Sequence, residues 1–182
     1  MYTQLQNVLA DHDSASKSCL AISHSARLAK VLGLESVNLQ NAHYPEYNFT
    51  NLKFEDNSFD FCISDQVLEH IEGNPLKGFE ESIRIVKPGG FIAHTTCFVN
   101  QIHEDPGDFW RFTPKALKFM SESYGAEVIN YGGWGNKEAW SYIDMGYRAV
   151  KIPEDPKNPI YQLAMKNDPS CPIVTWIIAK VK

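Results

Sequence analysis

Leu52-Lys-Phe-Glu-Asp-Asn-Ser-Phe-Asp-Phe-Cys-Ile-Ser-Asp-Gln-Val-Leu-Glu-His70, followed after a helical stretch by Lys87-Pro-Gly-Gly-Phe-Ile92, decides how this chain folds. Phe59 to Ile63 is almost continuously apolar, as expected of a parallel strand covered on both faces. It stops abruptly at Ser64-Asp65-Gln66. Asn74-Pro75 then opens a helix as cap and first-turn proline, with Leu76, Phe79, Ile83 and Val86 on one face. Lys87-Pro88 ends that helix, and Gly90 to Phe98 is again strand-like. The unit is β-α-β, and polar groups collect at the carboxyl end of its first strand, where open α/β sheets bind ligands.

Upstream, residues 2 to 10 place Leu5, Val8 and Leu9 at helical spacing, and a polar connector, 11 to 17, follows. Cys19-Leu-Ala-Ile22 reads as a brief buried strand. After Ser23-His24-Ser25 comes a helix with Leu28, Val31 and Leu32 inward, closed by Gly33. Ser36 to Leu39 alternates as a second strand with Gln40-Asn41 at its exit, and the polar, aromatic segment His43 to Thr50 has room for a short third strand. Downstream of Phe98 lies a polar and aromatic loop, Val99 to Phe112. Thr113-Pro114 caps a helix through Leu117, Met120 and Tyr124 that Gly125 stops. Glu127 to Tyr131 is expected as a strand broken by Gly132-Gly-Trp-Gly-Asn136, Lys137 to Tyr147 as helix or loop, and Ile173 to Val181 as a long closing strand. Alternation of strand and helix implies a mainly parallel sheet with helices on both sides, and the weakly helical material before the last strand suits an antiparallel terminal hairpin.

The 182 residues suit one domain, 1–182, with a sizeable core. A formal net charge of −5 with 17 Lys plus Arg leaves no broad electrostatic footprint for nucleic acid, so none is expected as a partner. Cys19, Cys62, Cys97 and Cys171 have no metal-ligand spacing and read as reduced thiols. With no leader-like start and no apolar run of bilayer length, a soluble cytoplasmic protein is expected, without membrane association.

The opening stretch resembles the class I S-adenosylmethionine-dependent methyltransferases of the type 11 group. Asp56 to Asp60, Leu68 to His70 and Lys87 to Gly90 match that group's motifs in order and spacing. The resemblance implies an α/β fold built as a Rossmann-like, mainly parallel twisted sheet with helices on both faces and an antiparallel C-terminal strand. It implies S-adenosylmethionine as cofactor and a small-molecule or sugar-type methyl acceptor. Family glycines after the first strand fall on Ser23, His24 and Ser25, a degenerate version of that motif. The acid that would bind the ribose falls on Gln40 or Asn41, the acid near the adenine on Asn48, and the strand exit supplies Ser64, Asp65 and Gln66. Replacing a carboxylate by an amide exchanges a charge-assisted hydrogen bond, about 1.5–3 kcal/mol, for a neutral one of about 0.5–1.5 kcal/mol. Two readings therefore stay open: an enzyme that retains the cofactor, and a binding or interaction module that kept only the fold.

The loop His103-Glu-Asp-Pro-Gly-Asp-Phe-Trp-Arg-Phe-Thr-Pro114 resembles one found in a subset of these enzymes over the substrate side of the pocket. There His103 with Asp105 or Asp108 offers a base, Arg111 a fork for a carboxylate or phosphate, and Trp110 and Phe112 a stacking wall. The plain alternative is that Trp110 and Phe112 bury themselves while Arg111 pairs with Asp108. His70 is the further catalytic candidate, with a structural hydrogen bond as its alternative. His94, His103, Glu104 and Asp105 match no standard metal-ligand spacing, and no metal is expected.

Overall fold

The computed structural model describes residues 1–182, the side chain of Ala149 excepted. Six strands, β1 (Ser18–Ile22), β2 (Asn38–Ala42), β3 (Phe59–Asp65), β4 (Val86–Cys97), β5 (Glu127–Trp134) and β6 (Val174–Lys180), form one sheet in the order β2-β1-β3-β4-β6-β5. β2, β1, β3 and β4 pair in parallel, and β6 runs antiparallel between β4 and β5. Helices α1 (Tyr2–Leu5), α2 (Ala26–Leu32), α3 (Leu76–Ile85), α4 (Pro114–Ser123), α5 (Lys137–Asp144) and α6 (Pro159–Met165) complete the chain. Among the described residues no helix is long and apolar enough to cross a membrane.

Strand side chains alternate between the two faces of a sheet, and the buried residues divide accordingly. Leu20, Ile22, Cys62, Ile92 and Ile177 face Phe79 and Ile85 of α3 and Leu117 and Met120 of α4. Cys19, Ala21, Phe61, Ile63 and Ile178 face Leu5, Leu9, Leu28 and Leu32 on the α1–α2 side. Both faces of the central strands are covered, which explains their unbroken apolar runs.

The motifs of the opening stretch lie mostly at the amino-terminal edge of the sheet and are structural. Asp60 Oδ2 accepts from the Ser18 backbone N–H at 2.9 Å and pairs with Lys87 Nζ at 2.9 Å, joining β1, β3 and β4. Arg84, in the last turn of α3, reaches back to Asp56 at 2.8 Å and to the carbonyls of Phe54 and Leu52. Gly90 is required by close approach: a Cβ there would lie 2.5 Å from the Asp60 carbonyl oxygen.

Several boundaries differ from the sequence reading. The expected helix over residues 2 to 10 is cut to Tyr2–Leu5, because Asn7 turns left-handed at φ 59°; Leu5 and Leu9 still dock. α3 ends at Ile85, and Lys87-Pro-Gly-Gly lies inside β4 as an irregular entry between the Phe59–Val86 and Phe61–Phe91 pairs. The segment 43–50 contains no strand, only an isolated bridge between Asn48 and Asn51, and β2 is the sheet edge. Gly132 and Gly133 do not break β5. They extend it to Trp134, Gly132 making room for the Trp176 ring, which a Cβ would approach to 2.8 Å.

Candidate active site

A cleft of about 470 Å³ opens over the carboxyl ends of β1 and β3. β1 contributes Ile22, Ser23 and His24, the chain after β2 contributes His43 to Thr50 in part, and the β3 exit contributes Asp65, Gln66, Val67 and His70. Asp105, Pro106, Gly107 and Phe109 of the long loop close the far side.

Ser23 occupies the turn where a glycine is expected, and its φ of 56° is the left-handed geometry that glycine adopts most easily. The backbone path of the glycine-rich turn is thus kept although the glycines are not. His24 beside it meets the His43 ring at a centroid distance of 4.9 Å. Asn48 lines the opposite wall, its Oδ1 accepting from the N–H and hydroxyl of Thr50 at 2.9 and 2.8 Å, which leaves its amide N–H₂ to a ligand.

Asp65 is held from both sides. Tyr2 donates to Oδ2 at 2.7 Å, and the Thr95 hydroxyl donates to Oδ1. Burial, then the adjacent Asp65 carboxylate, push the Tyr2 phenol above its ordinary range and keep it the donor. Gln66 also has positive φ, at 57°, and rests on Thr95.

The structure corrects several expected site residues. Ser25 is fully buried; its hydroxyl donates to Ile22 O and accepts from Asp65 N–H at 2.8 Å, clipping the exits of β1 and β3 together. Ser64 is buried against His94 Nδ1 at 2.8 Å. Gln40 and Asn41 stand within β2 outside the cleft, because the strand runs on to Ala42 and the first residue past its end is His43. His43 is the polar group that sequence reading missed, and a strand extended by three residues is the signal that finds it.

In the loop the plain alternative holds for Arg111 and Phe112, whereas Trp110 stays 37% exposed. Arg111 embraces Asp108 through both guanidinium nitrogens, one at 2.7 Å, so neither is free for a substrate. The Arg111 hydrogen bonds and charge, with the His103 backbone N–H, hold the Asp108 carboxyl well below the usual range despite its burial, which disqualifies it as a base. Phe112 is a core residue at 5% exposure, and Trp110 donates its indole N–H to Ile71 O at 2.8 Å. Phe109, half exposed, faces the cleft in their place. His70 lines the cleft and donates Nδ1–H to Gly107 O, so its Nε2 keeps the lone pair. The His103 ring stands edge-on to it at 4.9 Å, behind the cleft wall.

A sheet of this order with a polar cleft over its parallel strands defines the class I methyltransferase architecture. Residues 4–94, half of the chain, match the family described as a methyltransferase domain, and the chain belongs to that family. Its family cofactor is S-adenosylmethionine. A tRNA (carboxymethyluridine(34)-5-O)-methyltransferase of Arabidopsis thaliana is 36% identical over 77 residues, 41% of this chain and 19% of that protein. The biotin biosynthesis bifunctional protein BioHC of Teredinibacter turnerae is 32% identical over 92 residues, 44% of this chain and 16% of that protein. The matches thus span less than a fifth of either relative. Among solved structures, a Haloferax volcanii complex of the Trm112 methyltransferase activator with a methyltransferase aligns with TM-score 0.58 at 14% identity, covering 97% of this chain and 90% of that one. A SAM-dependent methyltransferase of Aquifex aeolicus aligns with TM-score 0.55 at 12% identity, covering 100% and 97%.

The residues present fit the cofactor. The cleft volume is that of a small-ligand pocket, about 300–1,000 Å³, and the Ser23 turn allows close backbone approach. His43 and Asn48 from the segment after β2 and Asp65 from the end of β3 supply hydrogen-bonding groups.

Proposed function

We propose that the protein transfers a methyl group from S-adenosylmethionine to a small-molecule or sugar-type acceptor. The observation that carries this reading is the cleft itself. It carries polar groups, lies at the switch edge of the sheet, keeps a glycine-like turn at Ser23, and is bounded on its far side by the loop at Asp105 to Phe109. The cofactor supplies an electrophilic methyl group on a sulfonium when bound.

Ser23 and His24 receive the amino-acid end of the cofactor, while His43 and Asn48 receive its ribose and adenine. Asp65 and Gln66 bound the cleft near its centre. His70, with Nδ1–H committed to Gly107 O, presents Nε2 to the acceptor and suits proton removal from a hydroxyl. Phe109 and Pro106 cover the acceptor and exclude water. Positioning supplies most of the rate in such a transfer.

An RNA acceptor is the second reading, favoured by the Arabidopsis relative. The net charge of −5 and the acidic Asp65, Glu72 and Asp105 at the cleft weigh against it. Calorimetric titration with S-adenosylmethionine and S-adenosylhomocysteine tests the core of the proposal. Saturable binding, with about 2.7 kcal/mol of added stability at a hundredfold excess over Kd, is expected. No heat and no thermal shift at millimolar ligand would leave a binding module that kept only the fold.

A further inference from the structure

Glu69, His70 and His103 each bring one ligand atom to within 4.8 Å of the others, a carboxylate oxygen and two imidazole nitrogens. We propose that this trio binds a divalent transition-metal ion of the zinc class, held in the wall of the cleft that His70 lines. Glu69-His70 alone lacks a second histidine at helical spacing; the fold supplies it as His103 from the distant loop. The site's existence does not depend on methyl transfer; its bearing on acceptor chemistry rests on that reading.

Three observations support it. The first is tautomer control. His70 Nδ1 faces the Gly107 carbonyl, and His103 Nδ1 faces both the Gln101 carbonyl at 3.1 Å and Asp108 Oδ2 at 3.0 Å. A carbonyl only accepts, so the hydrogen bonds to Gly107 O and Gln101 O place a proton on each Nδ1, the Asn100 amide nitrogen at 3.2 Å being the competing contact at His103. Both Nε2 atoms therefore hold lone pairs, and an outer nitrogen donating to a carbonyl or carboxylate is the usual support of a metal-binding histidine.

The second is the Glu69 side chain. It is fully buried, and its oxygens accept from the Thr96 hydroxyl at 2.8 Å and, weakly, from Cys97 N–H at 3.4 Å. Among the described residues no Lys or Arg pairs with it, Arg111 being taken by Asp108. Buried carboxylates are normally paired or bound to a metal, and the two imidazoles point to the second.

The third is preorganisation. Glu69 and His70 share one short turn, and the distant His103 is held to it by the loop. Phe109 N–H and Trp110 N–H donate to Glu69 O at 2.8 and 3.2 Å, while Gly107 O receives His70. The loop is braced in turn by Arg111 and Asp108. Two imidazoles and one carboxylate suit zinc and its first-row neighbours and leave a position for water or an oxygen ligand. With the ion bound, the His70 Nε2 lone pair is no longer free as a base; an acceptor hydroxyl reaching the ion would instead be acidified by it.

The test uses metal alone. The chain is stripped with EDTA and titrated with Zn²⁺ by calorimetry and with Co²⁺ by visible absorbance, without cofactor. A single saturable site with nitrogen and oxygen coordination is expected, weakened by about tenfold or more in Glu69→Gln and in His103→Ala. His103 sits on the loop surface, and unchanged circular dichroism of both variants guards against misfolding. Absence of saturable binding by the folded wild type would sink the proposal. So would binding that survives His103→Ala and Glu69→Gln but is lost on replacing His24 and His43, the neighbouring histidine pair. Metal binding without S-adenosylmethionine binding would overturn the methyl-transfer reading and leave this site standing.

Discussion

Ser23 and His94 show single side chains held in states they would not choose alone. A side chain at φ 56° costs about 1–2 kcal/mol relative to the right-handed region, and glycine escapes most of that. Ser23→Gly is expected to raise stability by up to about 1 kcal/mol in urea denaturation and to leave cofactor affinity equal or better. A loss of stability would mean that the serine is favourable in this turn. His94 is fully buried between the rings of Phe49 and Phe79 and is bonded at Nδ1 to Ser64. Burial lowers its pKa from 6.5 to about 3. Between those values the unfolded chain takes up a proton that the folded chain refuses. Stability is therefore flat in this respect above pH 6.5 and falls by about 1.4 kcal/mol per pH unit as the pH drops toward 3. His94→Gln should make the acid limb shallower by that slope, measured as denaturant midpoint against pH.

The β3-α3-β4 unit and the loop that follows it divide the labour between them. Asp60, Lys87 and Arg84 fasten the unit at the edge away from the cleft, while Asp65, Gln66 and His70 line the cleft at the other. Much of the motif through which the family is recognisable is thus joinery. Gly90→Ala, driving a Cβ against the Asp60 carbonyl, is expected to lower stability by about 1–3 kcal/mol. An unchanged melting temperature would show that β4 can shift there. In the loop, Arg111→Ala removes charge-assisted bonds to a nearly buried carboxylate, and a loss of about 2 kcal/mol is expected. Faster proteolysis between residues 99 and 112 is the accompanying sign. Periodicity placed α3, α4 and the strands, whose faces are set by neighbours three or four residues away, or two. It misjudged α1 and the ends of β4 and β5, where a left-handed Asn7 and tolerated glycines overrode local preference.

Across the whole molecule, the first residues are coupled to the cleft. Tyr2 reaches Asp65 over a separation of 63 residues, with the Arg27 guanidinium over its ring at 5.0 Å. Tyr2→Phe is expected to cost about 1 kcal/mol and to speed amide exchange over residues 2 to 12. Unaltered exchange there would show that α1 docks through Leu5 and Leu9 alone.

The amino-acid sequence by itself determined the fold class, the strand and helix order and the edge where a ligand belongs, because hydrophobic period, caps and turn residues act over a few neighbours. Ser23, His24, Asn48, Asp65, Gln66 and His70, which line the cleft, were legible as candidates because each ends or follows a recognisable element. Only the tertiary structure decided that Ser25, Ser64 and Phe112 turn inward, that Arg111 is spent on Asp108, and that His43 enters the cleft in place of Gln40 or Asn41. It alone brought His103 to Glu69 and His70. Those outcomes depend on which acceptor a distant donor reaches and where a strand ends, and both follow from the register of strands far apart in the chain.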